Sequence, residues 1–321
     1  MSELRTVFIV AVTTSRMIFP GLPTFSPARG APPPTKVPAA RSLTMDLFST
    51  EKADYKSRAE VAVPEGLKVT SPVALLVDLS EKPKPADKQD AKSHFVIKTY
   101  WGSAKEVPRG QPRTAMSDSV TAPPSDKLPD ASYAYWPSLI AKPLEEDASA
   151  AGAYTLKTNY CGGTAFTLAS DQEFLAPIDL IGIHKKADLD KPIVITWKTV
   201  PRAVGYLVTA TGGTDLESIN WTSSANPDAA AGIEEFPHTR AEIASYVEKK
   251  VLLPPHAVTC TIPAGAFKGS KSVFVNVTAF GPDMVQVKDG VETRVVVRST
   301  AGIPIYGTSY RPVIEEDGKS P

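Results

Sequence analysis

The stretch "ITWKTVPRAVGYLVTA", residues 195–210, sets two short strands on either side of a proline-marked turn. Ile195 and Trp197 share one face of the first strand, and Tyr206, Val208 and Ala210 share one face of the second. That is the period of two expected when one side of a strand is buried. Pro201-Arg202-Ala203 supplies the turn, because proline fixes φ and removes a donor. Neighbouring segments repeat the pattern. Ile193 extends the first buried face, and "VFVNVTAF" (273–280) sets Val273, Val275, Val277 and Ala279 against Asn276 and Thr278. "MVQVKDGVETRVVV" (284–297) carries Asp289-Gly290, a hairpin signal because both positions tolerate positive φ. Together these segments predict an antiparallel sandwich over residues 178–306.

Similar runs occur upstream. "AEVAVPEG", "SPVALLVDLS", "SHFVIKTYWG", "GAYTLKTNYC" and "TAFTLASDQEF" each have strand length and composition. In "GAYTLKTNYC", Tyr154, Leu156, Thr158 and Tyr160 alternate with Thr155, Lys157 and Asn159, which predicts one buried face. A chain of 321 residues exceeds what one core usually serves. The expectation is therefore all-β with two β-sandwich domains, residues 45–177 of unassigned family and residues 178–306, followed by a fraying tail over 307–321. Thirty prolines suit strands and turns better than long helices. Residues 102–150 read as a long loop carrying "SYAYWP".

One helix is expected within the second region. In "HTRAEIASYVEKKVLLPP", Thr239 and Glu242 fit a capping box, Ile243, Val247 and Val251 recur every four residues, and Pro254-Pro255 ends the run. Such a helix would cover a sheet edge. At the N-terminus, Arg5 and the apolar run Val7–Val12 outline a signal-like segment, and the prolines between Pro20 and Pro38 mark an extended linker. Residues 1–44 are thus expected to lie outside the domains, with a periplasmic or extracellular address for the rest. The apolar run is far short of the ~20 residues that span a bilayer.

The order of Trp197, Tyr206, "TCTIPAGAF" and "VFVNVTAFG" resembles a fibronectin type III domain of the kind found in bacterial extracellular proteins, over residues 178–300. "ITW" would be its strand B, "GYLV" its strand C, and the last two segments its strands E and F. The chain differs from the family at Val273, where a corner tyrosine is usual, and in an insertion over 223–256. The resemblance implies a spacer, adhesion or ligand-presenting module, not a catalyst.

Residue chemistry points the same way. Thirty-five basic and thirty-five acidic residues cancel, so there is no long-range field for nucleic acid. HExxH, GxSxG, GxxxxGK[ST] and GxGxxG are absent from the sequence, and His94, His184, His238 and His256 have no metal-ligand spacing. Glu145, Glu146 and Asp147 read as a solvated charge run, and Asp188 with Asp190 lacks the spacing of an EF-hand. No catalytic residue, metal or cofactor is assigned. Cys161 and Cys260 leave two readings open, one disulfide or two buried thiols.

The remaining candidates for ligand contact are aromatic: Tyr100, Trp101, Tyr133, Tyr135 and Trp136 could stack on sugar rings or could anchor the 102–150 segment. The reading is a non-catalytic structural or interaction protein of the cell surface or envelope. Its partners are protein or polysaccharide, self-association is open to it, and nucleic acid and an integral membrane span are not expected. The alternatives are a carbohydrate-binding protein using the aromatics of 100–136, or a hydrolase with dispersed residues.

Overall fold

The computed structural model describes residues 6–18, 38–80, 95–116, 128–137, 144–182, 186–214 and 216–308. The turn at Pro201 forms as expected, with Ala203 N–H bonded to the Val200 carbonyl at 3.2 Å. Its third residue, Arg202, has φ of +68°, a left-handed conformation that disfavours a Cβ. Three hydrogen bonds from its guanidinium, to the carbonyls of Ser170, Glu173 and Phe174, offset that strain. The turn therefore also ties residues 170–174 to the second half of the chain.

The all-β class holds. The strands β5 (Leu76–Asp78), β8 (Ser132–Trp136), β2 (Ala40–Ser49), β1 (Thr6–Met17), β19 (Val291–Gly307), β17 (Ser272–Phe280), β14 (Gly205–Gly213), β15 (Glu217–Thr222), β6 (Val96–Trp101) and β7 (Arg113–Met116) follow one another across one large sheet. Two further strands, β18 (Met284–Lys288) and β12 (Lys186–Ala187), pair with β19. A four-stranded sheet has the order β10 (Thr164–Leu168), β9 (Gly152–Thr158), β3 (Ala59–Ala62), β4 (Val73–Ala74). A three-stranded sheet has the order β11 (Leu180–Ile181), β13 (Ile193–Trp197), β16 (Thr259–Ile262).

Both small sheets pack on the same inner face of the large one. Alternation dictates which residues point there: Phe8, Val10 and Val12 of β1, Leu43, Met45 and Leu47 of β2, and Tyr206, Val208 and Ala210 of β14 are all buried. Phe8 meets Phe166 of the four-stranded sheet edge to face, with centroids 6.1 Å apart. Trp197 of the three-stranded sheet meets Tyr206 at 5.4 Å. The Tyr206 ring stays in the core while its hydroxyl accepts the Val200 N–H at 2.8 Å, so one side chain serves both packing and turn.

Four expectations are corrected. The apolar N-terminal run is not a leader-like segment apart from the fold: it is β1, lying between β2 and β19, with Phe8, Val10 and Val12 fully buried. Residues 40–44, expected in the linker, open β2; residues 19–37 lie outside the described residues. The division at residue 177 does not separate two domains, because β1 pairs with β19, β6 pairs with β15, and one apolar core contains residues of both halves. Residues 102–150, read as a loop, contain β7 and β8, and "SYAYW" is the second of these. β19 ends at Gly307, within one residue of the expected boundary; residues 309–321 lie outside the described residues.

The expected helix forms as α2 (Arg240–Glu248), after a short α1 (Pro227–Ala230). Its capping box is reciprocal, Glu242 N–H donating to Thr239 Oγ1 at 3.2 Å and Thr239 N–H donating to Glu242 Oε2 at 2.7 Å. The Thr239 N–H, and then its hydroxyl at 2.9 Å, donate to that carboxylate and hold it below its usual range. It does not lie along an edge. Ile243, Leu252 and Val251 form a second core with Leu207 and Phe280 on the outer face of the large sheet, and only the following Leu253 pairs with the edge of β14 at Tyr206.

Because β1 is shared packing for the whole sheet, Phe8→Ala should cost about 3–5 kcal/mol, the range for a buried phenylalanine. In urea, the far-UV circular dichroism and the tryptophan fluorescence, to which distant Trp197 and Trp221 contribute, should shift to lower midpoints together. A loss confined to one probe would contradict a single cooperative core.

Candidate functional site

The large sheet divides the five aromatics singled out in the sequence. β6 lies next to one edge strand and β8 next to the other, so Tyr100 and Trp101 are at the opposite end from Tyr133, Tyr135 and Trp136. Alternation divides them again. Tyr100 is buried on the inner face, paired in register with buried Trp221, and Trp136 packs against the core opposite Met45. Trp101, Tyr133 and Tyr135 are half-buried on the outer face.

Tyr133 and Tyr135 acquire a third ring, Phe48 of β2, that the sequence reading missed. The signal was its place in "RSLTMDLFS": Leu43, Met45 and Leu47 point inward, so Phe48 must point outward although it is large and apolar. Phe48 and Tyr133 stack with centroids 4.9 Å apart and planes 30° from parallel; Tyr133 and Tyr135 follow at 5.5 Å and 16°. The rings thus cover one another's faces and form a ladder rather than a flat platform. Leu76 lies opposite Tyr135 in register and is exposed, which extends the apolar strip to the edge strand.

Polar groups fix this ladder. The Tyr133 hydroxyl donates to Asp46 Oδ1 at 2.6 Å. Burial raises the Asp46 carboxyl above its ordinary range, and the tyrosine bond offsets part of that rise. Burial and the same carboxylate push the Tyr133 hydroxyl far up, so it stays protonated. Beside the ladder is a cleft of about 330 Å³ lined by Phe48, Tyr133, Asp78, Ser80 and the 128–132 segment. Hydrogen bonds from Ser80 hold the Asp78 carboxyl below its usual range. Such a site can dock apolar and aromatic groups and accept hydrogen bonds at its rim.

A second cavity, of about 420 Å³, is lined by Thr6, Glu51, Thr158–Gly162, Asp289 and Gly290, and includes Cys161. Burial raises the thiol, although hydroxyls around it, Thr158 first, pull the other way. A protonated thiol is a poor nucleophile. Cys260 lies in β16, opposite Ile195, and burial alone pushes its thiol up to about 12. The two cysteines are free; Cys260 is buried as the thiol reading expects, whereas Cys161 is half-buried: one follows β9 and the other lies within the three-stranded sheet.

The other polar candidates disperse. Lys68 bridges Glu145 at 3.3 Å and Asp147 at 2.5 Å on the surface. Asp188 accepts the Asp190 N–H at 3.1 Å and meets Lys191 at 3.5 Å. His238 is buried with Nε2 2.8 Å from the Ile233 carbonyl, and His256 is exposed; His94 and His184 lie outside the described residues. Among the described residues, no three His, Cys, Asp or Glu side chains gather as metal ligands, and no helix is long and apolar enough to cross a membrane. No family model, curated protein or solved structure matches this chain.

Two outcomes follow from these environments. Asp46 binds its proton more tightly folded than unfolded, so its contribution to stability is present at low pH and is lost as pH rises through the raised folded value. Asp46→Asn should therefore gain in melting temperature relative to wild type as pH climbs above the ordinary aspartate range, and the gap should close below it. In thiol titration with Ellman's reagent at neutral pH, Cys161 should react slowly and Cys260 only after denaturation, when two thiols should appear.

Proposed function

We propose that the protein is a non-catalytic structural or interaction protein that presents binding surfaces on the outer face of its large sheet. The observation that carries this reading is the ladder Phe48–Tyr133–Tyr135 with exposed Leu76 beside it, an aromatic strip held on paired strands rather than on loops. Aromatic groups in rigid positions contribute most of the energy of many protein contacts because little side-chain entropy is lost on docking.

The proposal includes a fibronectin type III-like half. The segment read as strand B, β13, pairs with the segment read as E, β16; the segment read as C, β14, pairs with the segment read as F, β17. Those pairings, in two sheets facing each other, suit an immunoglobulin-like sandwich. The Tyr206 hydroxyl, bonded to Val200 N–H, supplies a tyrosine-to-backbone link although Val273 stands where the corner tyrosine is usual. An address at the cell surface or in the envelope rests on this half, since residues 6–17 belong to the fold.

The test is retention of the purified chain on cell-envelope material of the organism that makes it, after periodate has destroyed the glycans, together with a screen of ester, peptide and glycoside substrates. Saturable retention, a loss of about tenfold or more in Tyr135→Ala, as for a contact hot spot, and no turnover are expected. Turnover, or retention that Tyr135→Ala leaves unchanged, would overturn the reading.

A further inference from the structure

At the end of the large sheet opposite the ring ladder, the outer face carries hydroxyls in rows. Strand register sets Thr211, Asn220, Thr99 and Arg113 side by side across β14, β15, β6 and β7. Two residues along, Thr209, Thr222 and Trp101 form a second row. Neighbouring positions in each row are about 4.8 Å apart, the strand spacing. All of these but Trp101 line a groove of about 360 Å³ whose wall is α1 and the chain that follows it, as far as Glu234; Trp101 stands next in register to Thr222, at the groove's margin. Arg113 meets Asp228 of the wall at 2.8 Å and closes the groove on that side.

Polar side chains on a sheet face commonly bond to one another. Here, among the described residues, the side chains of Thr99, Thr209, Thr211 and Asn220 find no hydrogen-bond partner in the protein. Thr211 is exposed and the other three are half-buried, so all four are open to a ligand. Glu234 lines the groove as well, but its Oε1 is sealed from solvent and out of a ligand's reach.

The chemistry of the ligand follows from this inventory. Threonine hydroxyls and an asparagine amide both donate and accept, and a polyol offers the same two roles at many positions. The acidic Glu234 in the wall disfavours an anion, and Arg113 is already paired with Asp228. Trp101 ends the second row on the same face, half-buried, where its ring can pack the apolar face of a sugar. We propose that this groove binds a neutral glycan, with consecutive sugar units laid across β14, β15 and β6. The proposal rests on the interaction reading given above and names a ligand class for a separate part of the same face.

The test is titration calorimetry of the full chain with neutral hexaoses of β-linked glucose, mannose and N-acetylglucosamine, with products analysed afterwards by chromatography. At least one hexaose should bind. Trp101→Ala should weaken it about tenfold, and Asn220→Ala and Thr211→Val several-fold, in line with the loss of one packed ring or one hydrogen bond. Tyr135→Ala, at the other end of the sheet, should bind as wild type, and circular dichroism should show each variant folded. Binding by no hexaose, or equal binding by all three groove variants, would overturn the glycan site while leaving the interaction reading standing. Cleavage of a bound hexaose would have the opposite effect, keeping the site and removing the non-catalytic reading.

Discussion

Strand β19 pairs along twelve consecutive residues, in parallel, with a strand that begins at the sixth residue of the chain. On its other side it pairs first with β18 and then with β17, so its 17 residues are common to both halves of the large sheet. A parallel pair cannot be closed by a tight turn, and here the connection is nearly the whole polypeptide. Neither half can complete its sheet until the two ends of the chain have met. The four-stranded sheet then has Phe8 to pack against, and the three-stranded sheet has Val275 and Val277 beside Tyr206 and Trp197.

The passage between the halves is held on this same pair of strands. Residues 174–178 cross the inner face with Phe174, Leu175 and Ile178 buried. Their carbonyls need donors there, because buried backbone groups are rarely left unpaired. Thr14 of β1 donates to Leu175 at 2.8 Å, Ser299 of β19 to Ala176 at 3.0 Å, and Arg16 to Ile178 at 3.3 Å, with its guanidinium also paired to Asp179. These are the polar residues that interrupt the apolar pattern of β1 and β19. Read alone they look like breaks in a strand; in place they are the donors that let the crossover lie flat.

That explains which parts of the fold were legible. The strand pairs around Trp197 and Tyr206, the turn at Pro201 and the capping box at Thr239 rest on local patterns, and each stands where the sequence put it. The role of Val7–Val12 could not be read locally. A short apolar run with Arg5 before it and prolines after it has the same composition whether it is exported or buried, and its partner lies about 285 residues away. The fusion of the halves was hidden for the same reason. The aromatic set was only half legible: alternation separates Tyr133 from Trp136, but nothing local tells that β6 and β8 end at opposite margins of one sheet. Phe48 was legible only by contradiction, as a large apolar residue on an outward position, and Glu234 carried no local signal at all.

The outer face is where residues 223–256 matter. Left bare, β14 and β17 would lie flat to solvent there; instead Leu207 and Phe280 are covered by Ile243 and the chain around it. Arg298, reaching outward from β19, holds that cover in place. Its guanidinium pairs with buried Asp283 at 2.7 Å, donates to the carbonyls of Glu234 and Phe236, and lies 4.4 Å over the Phe280 ring. Asp283 in turn accepts the N–H groups of Val297 and His238. A buried ion pair of this kind is costly unless every remaining polar site is satisfied, and here it is anchored at both the sheet and the segment that covers it. The consequence reaches the groove, since the bond from Arg298 fixes the backbone of Glu234, and Glu234 forms its wall. The strand that joins the halves on the inner face thus also positions the wall of the groove on the outer one.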